Sequence, residues 1–274
     1  MFFANTLAVS IYLNSDVTML GWILGDIPVG LYSVAVKIYS AIRTVIAAVY
    51  NVAIPRMSRY ATYDNLAEFR SLLNKIINTI ILISIPTTLG LFTLSKEAII
   101  IIAGKLYLDA TPALQILSIA FFFAIMGGAL AYCVAVPLRR EKAVLLATII
   151  SAVENIALNI ILIPVLDIKG VALTTLLAEA TVFSVILYNI RDYFSLFDYK
   201  GILKNLLKCV VATSTFIPLR KALCSIEMSF AVGIIAYIVL AVISFCLFNL
   251  LLRNEVFIDL AKKYINTIRR KKRL

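Results

Sequence analysis

The sequence predicts an all-α, membrane-embedded protein, a polytopic bundle of about eight transmembrane helices. Three observations carry that reading. Of its residues, 62% are hydrophobic and only 15% charged, and mean hydropathy is +0.99; a soluble domain of this size needs far more polar surface. The apolar residues fall into eight segments, each near the ~20 residues a helix needs to cross the hydrocarbon. Lysine and arginine divide unequally between alternate loops.

The first span, 2–24, opens on MFFANTLAVSIYL. It has neither a basic stretch nor a small-residue cleavage site ahead of it, so it reads as a span rather than a signal peptide. Gly25, Asp26, Pro28 and Gly30 make ordinary turn chemistry before span two, 30–53. Pro55, in IPRMSRY, is expected to stop that helix. Residues 56–76 read as a polar connection with room for a short amphipathic helix. Spans three (77–103) and four (112–136) flank the short loop GKLYLDATP, and Pro137 opens the basic loop PLRREK. Spans five (143–165) and six (170–189) form a hairpin around VLDIK, and spans seven (205–222) and eight (228–252) close the set. Backbone amides in lipid must be satisfied internally, which makes these segments helices. The expected organisation is a six-span lobe at 1–190, a cytoplasmic linker at 191–204, a terminal helix pair at 205–252 and a basic amphipathic tail at 253–274.

The net charge of +11 first suggests nucleic acid, but its distribution argues for a membrane instead. The loops after spans two, four and six, together with the tail, hold 19 lysines and arginines. The alternate loops hold five: Lys96, Lys105, Lys169, Arg220 and Lys221. This asymmetry predicts a cytoplasmic location for the richer set and for both termini. In the tail, Phe257, Leu260, Tyr264 and Ile268 share a helical face surrounded by cations, as in a helix lying on an anionic leaflet.

Several chemistries are excluded. The chain has no histidine. Cys133, Cys209, Cys224 and Cys246 are scattered through apolar segments, so neither a disulfide framework nor a metal site is expected. No GxxxxGK[ST] loop is present to bind ATP. No cofactor is implied, and no loop carries paired catalytic groups. Polar groups inside the bilayer favour moving a solute over reacting with one.

Those polar groups are the candidate site. A charge near a helix centre costs ~2.5–3.5 kcal/mol on insertion scales, so it normally faces a bundle interior or a wet cavity. Asp16, Lys37, Arg43, Glu154 and Glu179 are such charges. On span two, Tyr32, Tyr39, Arg43 and Tyr50 fall within about 40° on a helical wheel. Ser33, Lys37, Ser40 and Thr44 form an adjacent polar stripe, and Val34, Ile38, Ala41, Val45 and Val49 form the expected lipid face. Aromatic rings beside cations suit a solute with sugar rings and phosphate. The alternative is that Lys37 and Arg43 pair with Asp16 or Glu179 to hold helices together. On span five, Thr148, Ser151, Asn155 and Asn159 share a face; they either bond between helices or touch the solute. Glu154, beside that face, is a candidate protonatable coupling group, as are Asp16 and Glu179. Gly127–Gly128 marks close helix approach or a hinge.

The run SDVTMLGWILGDIPVGLYSVAVKI is similar to a D-x-x-M-L-G…V-G-x-Y-x-x-A-x-K pattern. With IPRMS at 54–58, Y-x-x-A at Tyr107–Ala110 before LQIL, and NIILIP…KGVALTTLLAE up to Glu179, it resembles Wzx-type polysaccharide flippases. These belong to the multidrug/oligosaccharidyl-lipid/polysaccharide exporter superfamily. The resemblance runs over about 2–190. It implies an alternating-access carrier, not an enzyme. Such a carrier turns undecaprenyl-pyrophosphate-linked oligosaccharide from the inner to the outer leaflet for O-antigen, capsule or exopolysaccharide export. It also implies a bacterial inner membrane and contact with polysaccharide polymerase or assembly proteins. Asp16, Tyr32, Lys37, Tyr39, Arg43, Asn155 and Asn159 would then line the substrate cavity. Eight spans resemble the C-terminal lobe plus terminal helix pair of a fourteen-helix, V-shaped exporter. One lobe has half a cavity, so the expectation is a truncated or half-length chain, or one that pairs with a separate first lobe or a second copy.

Three other readings compete. A multidrug-type cation antiporter of the same superfamily fits poorly with the cationic face of span two. A non-transporting scaffold of a polysaccharide assembly complex would need no cavity. A membrane glycosyltransferase or polymerase would need a large outer catalytic loop.

Overall fold

A computed structural model of the chain describes residues 15–62, 65–225 and 229–271. Every regular element among them is helical. Helix α1 covers 15–24, and the rest of the expected first span lies outside the described residues. Seven further segments are long and apolar enough to cross a membrane: Asp26–Thr62, Leu66–Thr93, Lys105–Ala135, Glu141–Leu166, Ile168–Asn189, Tyr199–Leu223 and Phe230–Leu251.

Gly25 alone separates α1 from α2 (Asp26–Asn51), at a φ of 83° that glycine adopts without penalty. The helix therefore starts at Asp26, earlier than expected, with that carboxylate in its first turn, where the helix dipole favours it. α2 ends at Asn51, ahead of Pro55. Pro55 instead sits in the first turn of α3 (Ile54–Thr62), where a missing N–H costs nothing. α3 is amphipathic, with Met57 buried and Arg56 and Arg59 exposed.

The polar connection proves largely helical. α4 (Leu66–Thr93) begins well before residue 77, capped by Asn65, whose side chain accepts from Glu68 N at 3.3 Å. The expected third span breaks at Leu94 into α4 and α5 (Ser95–Ala103). Hydroxyls on both sides bond back to carbonyls of α4: Thr93 to Leu89 O at 2.9 Å and Ser95 to Leu91 O at 2.6 Å. α6 (Thr111–Leu130) ends in a π turn, Ala131–Ala135. α7 (Glu141–Leu166) and α8 (Ile168–Asn189) are joined by Asp167 alone. α9 (Tyr199–Ser214) and α10 (Phe216–Cys224) make one span, followed by α11 (Phe230–Leu251) and α12 (Glu255–Lys271). Of the tail stripe, Phe257 and Leu260 pack on the core, with Val256 beside them. The side chains of Tyr264 and Ile268 lie outside the described residues.

α6 is the centre of the bundle. It has the largest buried share of the seven spans, and it packs on α2, α4 and α8. Ala113, Ala120, Ala124 and Ala129 are buried along it, and such small residues let helices approach without a hydrophobic driving force. α7 packs on α8, α9 on α4, and α11 on α9. α2 thus lies against the central helix with its other side open.

Candidate functional site

α2 brings two buried polar clusters together on one face. Tyr32 and Tyr39 are seven residues apart, two turns of helix. Each hydroxyl reaches a carboxylate on a different partner.

The first cluster is built on Asp16 of α1. Its Oδ1 accepts from Asn159 Nδ2 at 2.7 Å, and its Oδ2 accepts from Thr175 Oγ1 at 2.9 Å and from Tyr32 Oη at 3.3 Å. Asn159 Nδ2 also donates to Asn155 Oδ1 at 3.1 Å, and Thr174 Oγ1 donates to Asn159 Oδ1 at 2.6 Å. Asn155 and Asn159 stand one turn apart on α7, and Thr174 and Thr175 answer them from α8. Tyr32, Asn155, Asn159 and Thr174 are fully buried. The cluster holds one ionisable acid among neutral oxygen- and nitrogen-bearing groups. Such a set suits a proton or a small hard cation.

The second cluster joins α2 to α8. Arg43 Nη1 lies 2.6 Å from Glu179 Oε1 and donates to Tyr39 Oη at 3.2 Å. Tyr39 Oη in turn donates to the same carboxylate oxygen at 3.4 Å. The Arg43 side chain is 31% exposed and that of Glu179 only 5%, so the guanidinium spans the boundary between core and open side.

Of the two arrangements open for the charges, pairing describes Arg43 with Glu179. Asp16 takes neutral partners. Lys37 is exposed on α2, with Ser40, Ala41, Thr44 and Val45 beside it. The expected wheel needs correcting on two points. Ile38, expected in lipid, is buried in the core. The rings of Tyr32 and Tyr39, expected on an open face, are buried because their hydroxyls reach carboxylates inside the lobe. On span five, Thr148 and Ser151 bond within α7, to Val144 O and Thr148 O, while Asn155 and Asn159 bond across to α8 and α1. Glu154 Oε2 is buried and has no hydrogen-bond partner. Among the described residues, no group of three or more acidic, cysteine or histidine side chains is placed to hold a metal.

On another side of α2 runs an apolar groove of about 470 Å³. Ile42, next to Arg43, forms part of its wall. α4 and α5 contribute Pro86, Gly90, Leu94 and Ala98, and the terminal spans contribute Phe216, Tyr237 and Phe245. At one end Tyr237 Oη meets Thr93 Oγ1 at 2.7 Å, and Arg220 lies over the Tyr237 ring at 5.7 Å while pairing with Glu97.

Hydropathy counting missed two features. One is the Glu97–Arg220 pair, with Glu97 buried and Arg220 partly exposed. The other is an amide junction midway along α4, formed by Asn78, Asn205, Asn249 and Asn254. Repeated asparagines in apolar segments were the available signal. Outside the spans, Arg140 stacks over Tyr193 at 5.7 Å and meets Asp192 at 3.0 Å; both neighbours, Tyr193 chiefly, raise its pKa.

Comparison with known proteins agrees with this architecture. A solved structure titled "Lipid II flippase MurJ, inward closed conformation" superposes with a TM-score of 0.77 over 93% of this chain, at 18% identity. The chain covers 53% of that structure. A curated relative from Haloferax volcanii, "Probable low-salt glycan biosynthesis flippase Agl15", is 28% identical over 169 residues, 60% of this chain and 35% of the relative. The chain thus spans about a third of the curated relative and about half of the solved one. The family profile described as "Lipid II flippase MurJ" matches residues 28–243. That stretch runs from the first turn of α2 through most of α11 and takes in Lys37, Arg43, Asn155, Asn159 and Glu179. The expected likeness to flippases of lipid-linked glycans therefore holds at that level, and this membrane-embedded chain belongs to the MurJ lipid II flippase family, a family of transporters rather than enzymes.

Proposed function

We propose that this chain forms one lobe of a carrier that moves a polyprenyl-pyrophosphate-linked oligosaccharide across the plasma membrane. The undecaprenyl-linked units of cell-wall, O-antigen or capsule synthesis are cargo of this kind. One observation carries the reading: α2 bears exposed Lys37 and partly exposed Arg43 inside an apolar span, and another side of the same helix, at Ile42, walls an apolar groove. Cations and an apolar trough served by one helix suit an amphiphile with a pyrophosphate between sugar and hydrocarbon. A cationic multidrug substrate lacks that match.

The open side of α2 supports a second half of the cavity, supplied by a separate first lobe, by chain beyond this sequence or by a second copy. The six-span lobe of residues 1–190 and the terminal pair 205–252 then have different tasks, the lobe facing the head group and the pair walling the groove. Asp16 is the coupling group, taking up a proton or a small monovalent cation when the carrier turns. The basic loops and tail lie in the cytoplasm.

The test is flipping of a fluorescent lipid-linked oligosaccharide in vesicles made from cells expressing the full native protein. Lys37→Ala/Arg43→Ala is expected to lower the rate more than tenfold at matched protein level, a loss of about 1.4 kcal/mol or more. Near-normal flipping by the double variant overturns the reading.

A further inference from the structure

α2 and α6 meet through a notch. Gly128 lies near the end of α6, and a Cβ built there would fall 2.7 Å from Tyr50 Oη and 3.0 Å from Tyr50 Cζ. Real carbon atoms do not approach so closely. The missing side chain is therefore what lets the buried Tyr50 ring, at the end of α2, seat itself.

The chain next to the notch is wound differently from the rest of α6. Val136 N bonds to Ala131 O at 2.9 Å, five residues back. Such a π turn adds a residue to the helix and is often found where function demands an irregular backbone. Here it carries Tyr132, whose ring stacks on Tyr50 with centroids 6.1 Å apart and planes 13° from parallel. It also carries Cys133, whose Sγ donates to Tyr50 O at 3.9 Å. Tyr50 is thus held through its hydroxyl end, its ring face and its own carbonyl. Just beyond it α2 stops at Asn51, and α3 turns back to pack on the same π turn.

We propose that Tyr50 and Gly128 are positioning residues: the notch seats Tyr50 and fixes where the cation-bearing helix α2 stands against α6. Tyr50 and Arg43 lie seven residues apart on the same helix, so a shift at the notch is carried rigidly to Arg43 and Lys37. Movement of α2 relative to α6 requires Tyr50 to leave the notch, and the π turn supplies the backbone slack for Tyr132 and Cys133 to follow. The inference does not depend on what the cargo is.

The test reads the position of α2 directly in the full chain, in membrane vesicles, through the rate at which a hydrophilic maleimide labels a reporter cysteine at the exposed site Thr44→Cys, corrected for the native cysteines. Gly128→Ala is expected to change that rate by about fivefold or more, the scale of a typical coupling between two sites. Gly127→Ala is the control, since its Cβ would meet Phe183 Cα, Phe183 N and Val182 Cγ1 at an ordinary 3.5–3.6 Å, and it leaves the rate unchanged. Adding Tyr50→Leu to Gly128→Ala removes the clash and returns the rate towards the parent value. The proposal is overturned by a Gly128→Ala protein that labels like Gly127→Ala, or by a folded double variant in which Tyr50→Leu restores nothing. Should Gly128→Ala yield no folded protein, Tyr50→Leu alone decides: emptying the notch changes the rate if the proposal holds, and an unchanged rate overturns it.

Discussion

Arg43 and Glu179 meet at 2.6 Å between α2 and α8, and Tyr39 touches both. Only the arginine reaches the open side. Truncating it strands a carboxylate that is 5% exposed in its side chain. Breaking a buried pair from one side typically costs 3–5 kcal/mol, and partial exposure of Arg43 puts this case at about 3 kcal/mol. Arg43→Ala is therefore expected to destabilise the detergent-solubilised protein more than Arg43→Ala/Glu179→Gln does. Denaturant unfolding of both variants checks it. Equal losses would mean that the pair does not hold the two helices together.

Asp16 separates transport from stability. Asp16→Asn keeps the shape of the side chain, and the hydroxyls of Thr175 and Tyr32 can turn to accept from the new amide. The variant is expected to fold but to lose gradient-driven flipping at least tenfold. Asp16→Ala removes the acceptor that Asn159, Thr175 and Tyr32 share, leaving them Asn155 Oδ1, Val171 O and one another, and is expected to cost about 1–3 kcal/mol. Flipping rates with and without an imposed proton or sodium gradient, beside melting curves, distinguish the two variants. Normal gradient dependence in Asp16→Asn would remove this residue from the coupling step.

The residue types that mattered were legible in the sequence, but their facing was not. Charges and amides inside apolar runs singled out Asp16, Arg43, Asn155, Asn159 and Glu179, because a bilayer makes each of them costly unless partnered. A helical wheel fixes only angles around one axis. It grouped Tyr32 and Tyr39 with Arg43 correctly, yet it could not say that α8 would cover the tyrosines and leave Lys37 open. That depends on which helices pack on α2, a property of pairs rather than of one segment. Hydropathy likewise read 77–103 as one span. The break at Leu94 is a single residue at φ −101° and ψ 10°, and neither it nor the pairing of Glu97 with Arg220 beyond it changes mean hydropathy.

The amide junction predicts how the terminal spans stay docked. Asn205 Nδ2 donates to Asn78 O and Oδ1, both at 3.0 Å, and Asn254 Nδ2 donates to Asn205 Oδ1 at 3.0 Å and to Asn249 Oδ1 at 2.7 Å. Three spans and the start of α12 converge there without a charge. Asn205→Ala removes the central member and strands buried groups on both sides, at about 1–3 kcal/mol. The expected sign is local: faster proteolytic cleavage in 190–198, where Asn74 otherwise holds Leu196 O at 2.9 Å and Asp198 N at 2.7 Å. Cleavage at the parent rate would mean that apolar packing alone docks the pair.

Gly170 sets how closely α7 and α8 cross, and on that crossing the Asp16 cluster depends. Asp167 alone turns the chain between the helices, at a φ of 55°, and its side chain accepts from Ile168 N at 2.7 Å. Three residues on, a Cβ at Gly170 would lie 2.4 Å from Leu162 O and 2.7 Å from Leu162 C. Both are backbone atoms of a helix and cannot rotate aside, so alanine must push the helices apart. Overpacking of this kind costs about 1–3 kcal/mol. The separation opens at the end from which Thr174 and Thr175 reach Asn159 and Asp16, so flipping should fall with stability. Gly30→Ala is the matched control: it lies in α2 with nothing within 4 Å of the new Cβ, and it should stabilise by up to about 1 kcal/mol through helix propensity. Melting temperatures of the two variants in one detergent decide the matter. If Gly170→Ala melts with Gly30→Ala, the α7–α8 contact is looser than the geometry requires, and the Asp16 cluster is held by its hydrogen bonds alone.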